Sequence, residues 1–74
     1  MTYQEYKQAL AMINAQKTQA HAETKDEFRR ISKAYQSDQI TAREALDLYE
    51  EAEQEESRKI DELNQAIDNL PDYD

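Results

Sequence analysis

Apolar residues recur at helical spacing along almost the whole chain, and the pattern is interrupted once. Stepping about 100° per residue from Tyr3, the positions Tyr6, Leu10, Ile13, Lys17, Ala20, Thr24, Phe28, Ile31 and Tyr35 stay within about 50° of one direction. Beyond the stretch QSDQITAREAL, residues 36–46, the behaviour resumes with Ala45, Tyr49, Ala52, Glu56, Ile60, Leu63, Ile67 and Leu70 on a stripe about 80° wide. Two long amphipathic helices follow from this, over residues 2–36 and 42–70, joined by a turn at 37–41. Residues 71–74, PDYD, form a short acidic tail, which the sequence predicts to be disordered. Pro71 stops the second helix, because it lacks an N–H and biases Leu70 away from helical geometry.

Three Thr-x-x-Glu patterns resemble capping boxes: Thr2 to Glu5, Thr24 to Glu27 and Thr41 to Glu44. The middle one falls inside an unbroken apolar phase, so it is read as coincidental and the first helix as continuous. Thr41 is the convincing internal cap, with Ile40 just outside it where a hydrophobic staple residue would sit. The polar connection Ser37, Asp38, Gln39 is short, and short connections make helices antiparallel neighbours. The expected fold is all-α: an antiparallel two-helix hairpin, coiled-coil-like, with arms of about 45–50 Å. Dimerisation into a four-helix bundle is the open extension of it.

Folding the chain back near residue 38 pairs positions whose numbers sum to about 77 and gives a seam with two apolar ends. Phe28, Ile31 and Tyr35 meet Ala45, Leu46 and Tyr49 near the turn, and Tyr6, Leu10 and Ile13 meet Ile60, Leu63, Ile67 and Leu70 at the far end. Between them lies a polar waist of Lys17, His21, Thr24 and Glu56. Pairing of Lys17 or His21 with Glu56 or Glu53 would fix the register of the hairpin, as polar residues do in coiled-coil seams. The alternative is that the waist is a recognition or ligand site.

Charge changes this picture more than composition does. Residues 1–37 carry six Lys/Arg and four Asp/Glu, whereas residues 38–74 carry three and thirteen, for a net charge of −8. An acidic balance of that size disfavours direct nucleic-acid binding and anionic membranes and favours basic protein surfaces. The acids Glu44, Asp47, Glu51, Glu55 and Glu62 lie about 100–140° from the apolar stripe of the second helix. With Leu48 they are the candidate partner-binding residues; the plainer reading is a solvated face that keeps a long helix in solution. From Glu44 to Glu62 nine acids and two bases occupy 19 residues. That is about one net charge per 4 Å of helix, against about 1.7 Å in duplex DNA. Two acidic arms side by side in a dimer would approach nucleic acid. Leu46 and Leu48 flank the stripe on both sides and widen the apolar patch at the turn end, a candidate contact for a second copy or a partner.

The residue inventory argues against catalysis. The chain has no glycine for a phosphate loop, no cysteine nucleophile or thiolate metal ligand, and a single histidine without a second at zinc-site spacing. No cofactor or metal is expected. The absence of cysteine fits a reducing, cytoplasmic setting, and neither a leader nor a membrane span is read in the pattern. In composition alone, the chain resembles the very small acidic helical inhibitors of host nucleic-acid enzymes carried by phages and mobile elements, anti-CRISPR proteins among them. That resemblance implies steric or electrostatic occupation of a nucleic-acid channel. The expected function is a non-enzymatic acidic module that binds a larger protein with a basic surface. A self-associating structural bundle is the alternative.

Overall fold

A computed structural model describes residues 1–73; Asp74, the last residue of the expected tail, lies outside the described residues. Two helices account for nearly all of it, α1 over Tyr3–Gln36 and α2 over Ala42–Asp68. They pack along their length as an antiparallel hairpin, 58 Å in its longest dimension. Both outer capping boxes form. The hydroxyls of Thr2 and Thr41 accept from the backbone N–H of Glu5 and Glu44, and each glutamate accepts from the backbone N–H of its cap residue.

Thr24, by contrast, sits in continuous helix, almost buried at 9% exposure, with its hydroxyl donating to the Ala20 carbonyl at 3.0 Å. A back-bonded threonine inside a helix satisfies its hydroxyl without ending the helix.

The turn answers how a chain without glycine reverses. Asp38 takes a left-handed conformation at φ 60°. Its N–H donates to the Tyr35 carbonyl at 3.1 Å, and the Gln39 N–H donates to the Ala34 carbonyl at 2.9 Å. This is a Schellman closure, in which glycine usually occupies the left-handed position. Asp is among the few other residues that tolerate it.

At the far end α2 stops at Asp68, two residues short of the expected boundary at 70. Asn69 becomes the C-cap and the Leu70 N–H turns back to the Ile67 carbonyl at 3.1 Å. The restriction that Pro71 places on Leu70 therefore ends the helix before Leu70. The expectation of a disordered tail is also corrected. Tyr73 packs on Tyr3 and Tyr6, with ring centroids 5.1 and 4.9 Å apart, and so closes the open end of the hairpin.

The core is thin. Ala20, Ile31 and Ala45 are its buried apolar residues among those described, beside Thr24. Most of the remaining seam residues are half-buried, which is what two helices without a third layer can achieve. Tyr35 and Leu46, both expected in the seam, are 48% and 65% exposed. Near the turn the seam is organised by Phe28 and Tyr49 instead, edge to face at 5.1 Å, with the Tyr49 hydroxyl 2.9 Å from Ser32 Oγ. No described helix is long and apolar enough to cross a membrane.

Candidate functional site

The hairpin has two broad faces, and its cross-seam bridges distinguish them. Relative to Thr24, Glu27, Gln16 and Glu23 lie about 60–100° to one side of α1, whereas His21, Ser32 and Lys25 lie about 60–100° to the other. On the first face a shallow groove of about 470 Å³ runs between Glu23, Asp26, Glu27 and Arg30 of α1 and Leu48, Glu51, Ala52, Glu55 and Lys59 of α2. It continues toward the chain ends past Gln16, Gln19, Ala20, Glu62 and Leu63. Six carboxylates and two cations therefore surround a floor of small and aliphatic side chains.

Acids from both helices converge here, which reading each helix separately missed. Glu23 and Glu27 are one helical turn apart, a spacing that places them on a common side of α1. That spacing was the available signal, and the sign of the hairpin's packing is what joins it to the acids of α2. A second acidic row beside that of α2 is therefore supplied by α1 of the same chain.

Of the candidate partner-binding residues, Leu48, Glu51, Glu55 and Glu62 line this groove. Glu44 and Asp47 do not: Glu44 is engaged in the Thr41 capping box, and Asp47 faces Arg43 of the same helix at 3.9 Å. Several groove acids are already partnered. Lys59 reaches across to Glu23 at 3.2 Å, Arg30 pairs with Glu27 at 3.0 Å, and Arg58 bridges Glu55 and Glu62. Among the described residues Glu51 makes no ion pair. The groove is thus less negative than a count of carboxylates implies, and its exposed pairs are held weakly.

The polar waist is assembled on the opposite face. His21 Nδ1 lies 2.9 Å from Glu56 Oε2, one of the pairings anticipated. Lys17, the other candidate for that pairing, donates instead to Asn64 at 2.9 Å. The physical reason is reach: Asn64 stands about two to three helical turns beyond Glu56 and Glu53, at the level of Lys17 in the antiparallel register.

Three carboxylates depart from their ordinary acidity, and all in one direction. The hydrogen bond from His21 lowers the pKa of Glu56, that from Lys59 lowers Glu23, and that from Arg58 lowers Glu55. The Arg58 guanidinium is correspondingly raised, chiefly by Glu55. These groups are held ionised, the opposite of the raised carboxyl that a general acid requires. Fixed negative charge beside an apolar floor suits recognition of a cationic surface. Among the described residues no three metal-ligating side chains converge on a point. No protein-family model, curated protein or solved structure matches this chain.

Proposed function

We propose that this chain is a small, non-enzymatic acidic module that binds a basic surface of a larger protein through the groove between Glu23, Glu27, Glu51 and Glu55. One observation carries the reading: Glu23, Asp26 and Glu27 of one helix and Glu51 and Glu55 of the other flank a common apolar floor at Leu48 and Ala52. Acids needed only for solubility have no reason to concentrate in this way. A partner surface that ordinarily holds nucleic acid has the matching charge, so the module acts as an inhibitor by occupying it. Already paired acids such as Glu23 and Glu27 make this occupation depend on apolar contact as well as on charge.

Capture from a lysate of cells that carry the gene tests this, using the wild-type chain beside Glu23→Lys/Glu51→Lys/Glu55→Lys. A stoichiometric partner with a basic surface, retained by the wild type and lost by the variant, is the expected result. A partner retained equally by both removes the groove from the account and favours the structural-bundle alternative.

A further inference from the structure

We propose that the face opposite the acidic groove is where a second copy of this chain packs, α1 of one copy against α2 of the other, to form a four-helix bundle. Three observations independent of the groove lead there.

The first is area. A compact protein of 8.7 kDa exposes roughly 4,700 Å². This chain exposes 5742 Å². The excess of about 1,000 Å² is close to the share of about 800 Å² that each partner contributes to a stable interface.

The second is where the core is incomplete. Phe28, Tyr49, Ile60 and Ile67 are half-buried and lean toward this face by helical phase, with Leu46 at 65% exposure beside them. Phe28 and Tyr49 line a shallow cleft that opens there with Arg29, Ser32 and Lys33. A second hairpin laid on this face turns these residues into the interior of a bundle.

The third is charge, and it selects both the face and the arrangement. A two-fold axis parallel to the helices sets α1 of one copy antiparallel to α2 of the other at the same level as its own α2. Cross-seam bridges within one copy join residues whose numbers total 77 to 82. The same register across the axis brings Lys25 to Glu53 and Arg29 to Glu50, twice over. All four residues are exposed. Among the described residues Arg29 forms an ion pair with Asp26 of its own helix alone, one turn away. On the acidic face the same operation sets Glu23 and Glu27 against Glu51 and Glu55, which repel. The mixed face is self-complementary and the acidic face is not, so the dimer leaves both grooves open.

Sedimentation equilibrium of the full chain, with helicity followed by circular dichroism, tests the arrangement. The wild type is expected at twice 8.7 kDa in the micromolar range. Lys25→Glu/Arg29→Glu and Glu50→Lys/Glu53→Lys each weaken self-association at least tenfold. An equimolar mixture of the two recovers a dimer that contains one copy of each. If a variant loses its helix alone, mixing restores helix and mass together. The control Glu51→Lys/Glu55→Lys, in the groove, leaves the mass unchanged, which separates this proposal from the groove reading. A wild type that stays monomeric at several hundred micromolar, or charge-reversed variants that fail to recover a mixed dimer, overturns it.

Discussion

His21 and Glu56 approach within 2.9 Å across the seam, and neither is deeply buried: their side chains are 56% and 26% exposed. The pair therefore sits at the edge of the helix interface, where water still reaches the imidazole. An exposed pair of this kind contributes little beyond the cost of ordering it, and its expected role is to fix the register of the hairpin.

Replacing Glu56 with Leu extends the apolar seam through the waist. Thr24 keeps its bond to the Ala20 carbonyl, so no buried polar group is orphaned, and His21 can be solvated. We expect the Glu56→Leu variant to be more stable by about 1 kcal/mol in chemical denaturation. A loss of that size instead means that the pair stabilises the hairpin outright, and lost binding at unchanged stability makes the waist part of the recognition site.

Acid acts in a defined direction. The Glu56 pKa in the folded chain is lowered by the hydrogen bond from His21, below its ordinary value of 4.5. Its contribution is therefore complete above that value and is lost as pH falls through the lower, folded one. Glu23 and Glu55 shift the same way, while approach to neutrality near pH 4.5 relieves the general repulsion of an acidic chain. The difference in stability between wild type and Glu56→Gln isolates the pair. It should shrink as pH falls below 4.5. Parallel curves down to about pH 3 contradict it.

Asp38 carries the turn at a conformation that costs a residue with a Cβ about 1 kcal/mol. Asp38→Gly should raise the midpoint of denaturation by roughly 0.5–1 kcal/mol equivalent, with no change in its slope. Asp38→Val should lower it by more, because a β-branched side chain has no tolerance for positive φ.

Tyr73 ties the last turn of the chain to Tyr3 and Tyr6. Its replacement by Ala should cost about 1 kcal/mol, the usual worth of an aromatic contact beyond area. Faster amide exchange should follow in the first turns of α1 and the last turns of α2, with the turn end unaffected. Unchanged exchange at the open end contradicts the contact.

The architecture was readable because each of its determinants is local. Thr41 and Glu44 cap a helix within four residues, and the phase of the apolar stripe carries Thr24 through without a break. The register of the waist was legible at His21 and Glu56, since the turn is short enough to set it. The contact of Tyr73 with Tyr3 was not, because no periodic pattern connects residues at opposite ends of a chain. Nor was the gathering of Glu23 and Glu27 with Glu51 and Glu55. Each helix carries its acids at a readable angle, but which flanks share a face depends on how antiparallel helices turn toward each other.

Titration of the captured partner by calorimetry at 50 and 200 mM salt tests the central claim most directly. Binding through the acidic groove predicts affinity that falls as salt rises, and a loss of at least tenfold for Glu51→Lys/Glu55→Lys. Affinity indifferent to both salt and substitution contradicts the claim.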